Sequence, residues 1–453
     1  MTSLLWLRQD LRLADQPAYV AAAHDGPVIA IYVLDDHRPG DWAIGGAQRW
    51  WLHHSLEALG KALAVKGIAL ILRRGDAVAE ILKVARDVGA KRVHAIRHFE
   101  PWWRRAEDEL GDKIELCLHD GNHLGPPDAV LTGAGGRFRM FTPFWRALHR
   151  QMPPAAPMRA PAQAEGHGGK PAGDALTDWK LLPTKPDWAA AFGKDWMPGE
   201  AGARRTLDNF LAEVGDYEKA RNLPSVEGSS RLSPHLHFGE ISPATVWHRI
   251  GNAGSSGEAF LRELGWRDFA ANLIDQFPDY GRRNVRDSFD ALPWRTGKAA
   301  DRDFAAWTQG RTGYPIVDAG MRQLWTTGWM HNRVRMIAAS FLVKHLLIDW
   351  RRGERWFWDT LVDADYGNNS VKVAGTGVDS NMFVRIMAPL TQSEKFDAAG
   401  YIREWVPELA GLDDADIHDP WGRGCAPHGY AEPLIGHRQG RERALTAYRD
   451  MKS

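Results

Sequence analysis

The sequence predicts two domains of different fold class, an N-terminal α/β domain and a C-terminal domain made of helices. A chain of 453 residues, 44% of them hydrophobic, is longer than one ordinary domain requires. Its first part alternates short apolar runs with amphipathic stretches, whereas its last part has helical periodicity almost throughout. We therefore predict an α/β domain over residues 1–131, an inter-domain linker over 132–202 and an all-helical domain over 203–453.

The N-terminal domain is predicted from five short apolar runs. Helical patterns at 47–65 and 76–88 lie between some of them. Strands that alternate with helices are typical of a parallel, Rossmann-like sheet with covering helices. No GxGxxG follows the first run, so an ordinary dinucleotide site is not indicated there. The predicted strands are Leu4–Leu7, Val28–Val33, Ala69–Leu72, Val93–Ile96 and Ile114–Leu118.

The linker and the second domain are distinguished by composition and period. Residues 132–202 are rich in proline, glycine and alanine, as expected of a long connection. Beyond them, apolar residues recur at three- and four-residue spacing. The predicted helices are Ala203–Tyr217, Pro243–Ile250, Ser256–Ile274, Ala319–Thr327, Arg333–Asp349, Glu354–Val362 and Ala398–Trp405.

Charge and cysteine content exclude several classes of protein. Lys+Arg and Asp+Glu both number 57, so any nucleic-acid site must be a local basic patch. Cys117 and Cys425 are too few for an iron–sulfur cluster, a structural zinc or a disulfide framework. The sequence shows neither a signal peptide nor an apolar stretch of membrane-spanning length. We therefore expect a cytoplasmic protein that binds no metal and makes no contact with a membrane.

The segment from Gly310 to Trp358 has the most informative polar pattern. On a helix that starts near Met330, the side chains of Asn332, Arg335 and Met336 lie at i, i+3 and i+4. One face then presents an amide, a cation and a thioether, which suits a planar, polar ligand. A capped helix with solvated arginines explains the same spacing, so both interpretations stay open at this point.

Motifs along nearly the whole chain resemble those of the photolyase/cryptochrome family. The resemblance implies an antenna-binding α/β domain and a helical domain that binds FAD. It also implies repair of cyclobutane pyrimidine dimers in UV-damaged DNA by an electron from excited, reduced FAD. The C-terminal text Asn381–Leu390 is most similar to the class III dimer photolyases. The matching motifs are Trp6–Leu13, Ser229–Gly239, Glu263–Phe269, Gly310–Leu324, Trp350–Glu354 and Arg385–Asp397.

The resemblance assigns the cofactor positions. Tyr217 and the run Ser229–Ser233 match a phosphate cradle, although an ordinary helix N-cap is the alternative for the serines. Asp363 and Asp365 match carboxylates at the flavin edge, and Arg335 matches the arginine that pairs with the first. Asn369 matches the residue that faces the redox-active nitrogen. The full set is Tyr217, Ser229, Ser230, Arg231, Leu232, Ser233, Asn332, Arg335, Asp363, Asp365 and Asn369.

The substrate positions combine spacing with resemblance. Glu263, Trp266 and Arg267 lie at i, i+3 and i+4, so one helical face offers a carboxyl, an aromatic wall and a cation. The resemblance implies that this face receives a flipped dimer. Relatives that repair (6-4) photoproducts carry histidines where this chain has Asn332 and Met336, so cyclobutane dimers are favoured. The predicted catalytic residues are Glu263, Trp266, Asn332, Met336 and Asn369. The predicted DNA-binding residues are Arg221, Glu263, Trp266, Arg267, Asn332, Arg333, Arg385 and Gln392, with Arg282, Arg283 and Arg286 either extending the patch or forming a solvated charge run.

The chain departs from the family pattern in the loop after Asn369. Val371, Lys372 and Val373 stand where two tryptophans are expected, one that begins an electron-transfer chain and one that forms a pocket wall. Trp350 and Trp294 match the later members of that chain. We therefore predict slow photoreduction, or a route through Trp329, Trp356 or Trp358, and a dimer pocket with one aromatic wall.

The sequence leaves open the identity of the antenna and the choice between a repair enzyme and a light receptor. A methenyltetrahydrofolate antenna is expected from the class III resemblance, while a structural role explains Trp102 and Trp103 equally well. The altered loop also fits a cryptochrome-type blue-light receptor or a repair-impaired variant. Few residues follow the last predicted helices, which favours the enzyme over the receptor. We expect the protein to be a monomer.

Overall fold

The computed structural model describes residues 2–169, 171–251, 253–284, 286–369 and 383–452. The chain divides into two compact units, each assembled from separate segments. Unit 1 comprises Met1–Gly215, Ser230–Pro278 and Val362–Gly367. Unit 2 comprises Asp216–Ser229, Asp279–Leu361 and Asn368–Ser453.

Unit 1 contains the predicted parallel sheet. All four strand pairings are parallel, and the strand order is β3-β2-β1-β4-β5. All five residues of β1 are buried, as expected for a central strand covered on both faces. The prediction of a Rossmann-like α/β sheet is confirmed. The strands are β1 (Ser3–Leu7), β2 (Val28–Leu34), β3 (Leu70–Arg74), β4 (Arg92–Ile96) and β5 (Glu115–His119).

The helices of unit 1 cover the sheet and continue beyond it. Alternate strand residues such as Trp6 and Ile31 form one buried cluster with residues of the third and fourth helices. The third helix begins where Asp76 accepts a hydrogen bond from the Ala79 amide at 2.9 Å, and it ends at Gly89, whose φ is 66°. The helices are α1 (Pro17–Asp25), α2 (Gly46–Val65), α3 (Ala77–Val88), α4 (Pro101–Gly111), α5 (Phe141–His149), α6 (Phe192–Asp195), α7 (Glu200–Glu213), α8 (Ser233–His237), α9 (Pro243–Ile250) and α10 (Gly254–Gln276).

The segment predicted as a linker contains more regular structure than its composition indicated. It includes α5, whose face of Phe141, Phe144, Trp145 and Leu148 is buried. Farther along, the Val28 amide donates to the Glu165 carbonyl at 2.8 Å, so this segment runs beside β2. Proline and glycine residues are frequent on both sides of α5, and they hide the helical period of its apolar residues. The predicted domain boundaries at residues 131 and 202 stay predictions.

Gly265 sets how closely α10 approaches α5. A Cβ atom built on Gly265 would lie 2.3 Å from Trp145 Cε3, far inside contact distance. A Cβ atom on Gly60, in the interior of α2, would meet Leu70 Cδ2 at an ordinary 3.7 Å. Glycine at position 265 therefore permits packing, whereas glycine at position 60 only weakens its helix.

Two matched substitutions test this difference. Gly60→Ala is expected to raise the free energy of unfolding by about 0.5–1 kcal/mol, because alanine has the higher helix propensity. Gly265→Ala is expected to lower it by about 1–3 kcal/mol, because the overlap with Trp145 outweighs the gain in propensity. Urea titrations followed by circular dichroism measure both changes. A shift of the same sign in the two variants would contradict the role given to Gly265.

Unit 2 is helical in all its described regular structure. A single helical turn, Tyr217–Ala220, precedes the main helices, and Asp349 caps one of them by accepting a hydrogen bond from the Arg351 amide at 3.0 Å. The last helix was not predicted, because its buried residues are the small Gly440, Ala444 and Ala447. The helices are α11 (Lys298–Thr308), α12 (Pro315–Thr327), α13 (Asn332–Ser340), α14 (Trp350–Thr360), α15 (Pro389–Lys395), α16 (Ala399–Trp405) and α17 (His437–Lys452).

The helix predicted over Arg333–Asp349 is shorter than expected. α13 ends at Ser340, and Phe341–His345 forms a turn of π-helix. Leu347 then adopts a φ of 50°, which stops the helical path before Trp350 begins α14. The apolar period continues through this turn because its side chains are also buried, so the sequence pattern did not reveal the break. Among the described residues, no helix combines the length and apolar character needed to cross a membrane.

Candidate functional site

The predicted dimer face on α10 has a rigid aromatic platform. Trp266 stacks on Phe141 of α5, with ring centroids 3.6 Å apart and planes inclined by 8°. Phe269 packs edge-on against the same indole at 5.8 Å. Trp266 nevertheless remains 36% exposed, so one face is packed and ring surface stays accessible to solvent. Phe141 was not predicted from the sequence, because it lies in the segment taken as a linker.

Arg267, on the same helix, is engaged inside unit 1. Its guanidinium donates hydrogen bonds to the carbonyl oxygens of Asn122 and, at 3.1 Å, of Leu236. These bonds fix the side chain between the loop after β5 and α8. The contact with DNA phosphate expected for Arg267 stays a prediction, and Glu263 lies half-buried one turn earlier.

The carboxylate segment Val362–Gly367 is held within unit 1. Gln48 of α2 donates a hydrogen bond to the Ala364 carbonyl at 3.0 Å. The Tyr366 ring lies edge-on to Trp42 and to Trp102, with both centroid distances 5.1 Å, and its hydroxyl donates to the Pro278 carbonyl at 2.8 Å. This clamp positions Asp363 and Asp365, which flank Ala364. Asp365 lies 3.7 Å from Nδ1 of His237.

The serine run Ser229–Ser233 has a local turn geometry. Ser230 Oγ accepts a hydrogen bond from the Leu232 amide at 3.3 Å. Arg231 adopts a φ of 54°, and its guanidinium lies 5.5 Å from the Trp196 ring centroid. The cap residue of α8 is Leu232, so the structure does not support the alternative of a serine N-cap. Ser229, Ser230 and Ser233 stay predicted phosphate contacts.

In unit 2, a hydrogen-bonded network fixes the start of α13. His331 caps the helix by accepting from the Arg333 amide at 3.2 Å, and its own amide donates to Gln323 Oε1 at 3.1 Å. Tyr401 donates to the same oxygen at 2.7 Å. Asn332 and Met336 both retain solvent exposure, whereas Arg335 is buried.

Arg221 and Arg333 are brought together in unit 2. The Arg333 guanidinium donates to Asn222 Oδ1 and lies 4.4 Å from the Phe396 ring centroid. Burial, followed by the charge of Arg221, lowers the pKa of Arg333. The Arg221 guanidinium lies 5.2 Å from the Tyr217 ring centroid. Two of the predicted DNA-binding arginines therefore form one local basic group.

Two further predicted DNA-binding positions, Arg385 and Gln392, lie in the described residues 383–452. Lys344, which is 1% exposed, donates a hydrogen bond to the Arg385 carbonyl at 2.7 Å. Burial lowers the pKa of Lys344 to about 8. The Arg385 side chain is exposed and Gln392 is half-buried on α15. Val371, Lys372 and Val373 lie outside the described residues.

The predicted electron-transfer tryptophans have different surroundings. Trp350 is fully buried, and its indole donates to Asn284 Oδ1 at 3.1 Å. Trp294 is half-buried. Trp356 stacks on the exposed Trp325 at 5.9 Å, whereas Trp329 and Trp358 are buried. Neither the predicted chain nor the alternative route is tested by these positions.

A polar cavity that the sequence did not reveal lies at the carboxyl edge of the sheet. Residues after β1, β4 and β5 meet residues from α8, α10 and the carboxylate segment around it, and the empty space there, including its opening to solvent, is about 390 Å³. Loops from several strands converge there because parallel strands end at one edge. Its polar lining includes Gln9, His98, Glu100, His123, His237 and Asp365.

The two antenna candidates on α4 are packed. Trp102 contacts Tyr366, as described above, and is 6% exposed. Trp103 lies edge-on to Trp6 at 6.0 Å, and the Arg8 guanidinium lies 5.5 Å from its ring centroid. These contacts give both side chains a structural role. Separately, on α2, ligand atoms of His53, His54 and Glu57 lie within 4.8 Å of one another, although Lys61 already pairs with Glu57 at 2.8 Å.

Comparison with known proteins places these features in a family. Residues 3–162 match the family model described as DNA photolyase, and residues 260–450 match the FAD binding domain of DNA photolyase. A deoxyribodipyrimidine photo-lyase of Agrobacterium fabrum is 44% identical, with 99% of this chain and 98% of the relative covered.

Two further relatives are a photolyase of known structure and a cryptochrome. A crystal structure of a bacterial class III photolyase from Agrobacterium tumefaciens is 43% identical, with a TM-score of 0.94 and coverage of 99% of this chain and 97% of that one. Cryptochrome-1 of Arabidopsis thaliana is 36% identical over 92% of this chain and 64% of its own length. This chain belongs to the photolyase/cryptochrome family.

Proposed function

We propose that this protein is a deoxyribodipyrimidine photo-lyase, which splits cyclobutane pyrimidine dimers in DNA with an electron from excited, reduced FAD. The observation that carries the proposal is the 44% identity, over 99% of the chain, to a relative of that name. The aromatic platform of Trp266 and Phe141 supports it, because an accessible indole backed by a second ring suits a flipped base.

The residues present fit a bound FAD. Asn369 is 3% exposed, and its amide nitrogen has no hydrogen-bond partner among the described residues, as expected of a group that meets a ligand. FAD supplies the light absorption and the transferred electron. In the proposed site, Tyr217 and the run Ser229–Ser233 hold the phosphates. Asp363, Asp365, Arg335, Asn332 and Asn369 hold and orient the flavin.

The protein contributes position and electrostatics to this reaction. Trp266 stacks on one base of the dimer, and Glu263 donates or accepts a hydrogen bond at its edge. Asn332 and Met336 line the pocket without an acid–base group, which favours cyclobutane dimers. Arg221, Arg333, Arg385 and Gln392 contact the DNA backbone, together with Arg267.

One experiment tests the repair function directly. The chemically reduced protein is illuminated with single-stranded DNA that contains thymine dimers, and the recovery of thymine absorbance is followed. Recovery in the light and none in the dark is the expected result. An unchanged spectrum from a protein that carries its full complement of flavin would contradict repair and favour the cryptochrome-type receptor.

The finer assignments complete the proposal. We propose a folate antenna, in agreement with the class III resemblance, which chromatography of the chromophores released by denaturation will test. We also propose a monomer that acts in the cytoplasm and needs no metal. Gel filtration with light scattering checks the oligomeric state, and metal analysis of the purified protein checks the metal content.

A further inference from the structure

The cavity at the carboxyl edge of the sheet contains more titratable groups than the proposed repair reaction uses. His98 and Glu100 follow β4, His123 follows β5, His237 lies on α8, and Asp365 belongs to the carboxylate segment. All of them belong to unit 1. No step of dimer splitting as proposed above requires a proton from this group.

Two buried nitrogen atoms make the cavity suitable for water. His98 Nε2 and His237 Nδ1 have no hydrogen-bond partner among the described residues, and the two side chains are only 4% exposed. Buried polar atoms in proteins usually hydrogen-bond to protein groups or to ordered water. A polar cavity that opens to solvent accommodates water that bridges such atoms. The side chains around the cavity can therefore be connected by hydrogen bonds through water.

The charges around the cavity single out Glu100. Burial, followed by the charge of Asp365, raises the pKa of Glu100 to about 7, although His237 and Arg8 act in the opposite direction. Burial lowers the pKa of His98 and of His123 well below the usual value; the charge of Arg8 adds to this effect at His98, and the charge of Arg267 adds to it at both. Both imidazoles are then neutral at pH 7. Glu100, whose carboxyl also lies 3.8 Å from His98 Nδ1, changes its charge near neutrality.

We propose that Glu100 stores a proton that compensates the charge of the reduced cofactor. When an electron is added next to Asp365, the Glu100 carboxylate takes one proton from solvent through the cavity and becomes a neutral carboxylic acid. When the electron leaves, the same proton returns to solvent. This inference rests on the proposed function, because the family resemblance places the flavin edge at Asp365.

The physical reason is the coupling between neighbouring charges. A negative charge added in a buried environment raises the pKa of a nearby carboxylic acid, as Asp365 already does for Glu100. Glu100 acts on the cofactor through this electrostatic coupling and through water. It does not touch the reacting atoms, so it is a positioning residue and not a catalytic residue. Proton uptake should accordingly depend on pH most strongly around pH 7.

The test compares the flavin-loaded wild-type protein with Glu100→Gln. Protons taken up during complete chemical reduction are counted in weak buffer at pH 7–8 with an indicator dye. The flavin's own protons are common to both proteins. Glu100→Gln is therefore expected to take up less by roughly half a proton per flavin. Glu109→Gln, at a half-buried position on α4 that does not line the cavity, is the matched control and should match wild type. Equal uptake in all three proteins would overturn the inference.

A second measurement needs no variant. The infrared difference spectrum between reduced and oxidised wild-type protein should contain a protonated carboxyl C=O band that shifts in D₂O and weakens above pH 8. Absence of this band would also overturn the inference. A protein that binds flavin and repairs dimers, but fails these two tests, leaves the proposed function intact. A protein that binds no flavin contradicts the proposed function itself.

Discussion

Substitution of Asp318 by alanine is expected to lower the free energy of unfolding by about 3–5 kcal/mol, because it leaves several buried donors without an acceptor. Asp318 is completely buried at the start of α12. It accepts hydrogen bonds from the amide and the hydroxyl of Thr312, both at 2.6 Å, from the Gly313 amide at 3.1 Å and from the Tyr430 hydroxyl at 2.9 Å. Urea unfolding followed by circular dichroism measures the loss.

Tyr430→Phe is the control for this substitution. It removes one of the four donors and retains the carboxylate, so a loss of about 1 kcal/mol is expected. Burial raises the pKa of Asp318 to about 6, while the hydrogen bonds from Thr312 and Tyr430 act in the opposite direction. A loss at position 318 no larger than that of Tyr430→Phe would show that this network contributes little to the stability of unit 2.

Replacement of Trp266 by alanine is expected to weaken binding of dimer-containing DNA by about 1–3 kcal/mol, or roughly 5- to 150-fold. The indole is backed by Phe141 at 3.6 Å, so it offers a rigid surface on which a base can stack. The sequence indicates that the opposite aromatic wall is missing, which leaves this ring as the main stacking partner. Equilibrium titration of a labelled oligonucleotide in the dark measures the change.

Two controls separate stacking from a general loss of aromatic surface. Trp266→Phe keeps a stacking ring and should retain most of the affinity. Trp325→Ala removes another exposed indole, which is 50% exposed and stacked on Trp356 in unit 2, and should bind DNA like wild type. The flavin content of each variant is read from its visible spectrum. Tight binding by Trp266→Ala would exclude Trp266 as the stacking residue.

The sheet could be predicted from sequence because each of its strands produces a local signal, a short run of apolar residues. A parallel strand buried on both faces reads as an uninterrupted apolar run, and Leu4–Leu7 and Val28–Val33 matched the observed strands within one residue at each end. The π-helical turn at Phe341–His345 left no such signal, because its side chains are buried like those of the helix before it. α5 also could not be predicted, because the prolines and glycines on both sides of it hide its helical period.

The candidate site also contains residues that could be predicted from local sequence and residues that could not. Glu263, Trp266 and Arg267 share a helix, so their common face followed from spacing alone. The common position of the residues around the Glu100 cavity could not be predicted, because the cavity forms where six separate segments of unit 1 meet. The spacing of Asn332 and Arg335 indicated only a face for a planar, polar ligand, and the resemblance was needed to predict the flavin positions.

The Tyr366 clamp has a consequence for the modular exchange of domains between relatives. Asp363 and Asp365 are encoded late in the chain, yet the groups that hold their segment, Trp42, Gln48 and Trp102, are encoded early. A chimaera that joins the first 131 residues of one relative to the remainder of another therefore separates the two carboxylates from the residues that secure them. Such exchanges should succeed only when the three anchoring side chains are transferred together with the segment 362–367.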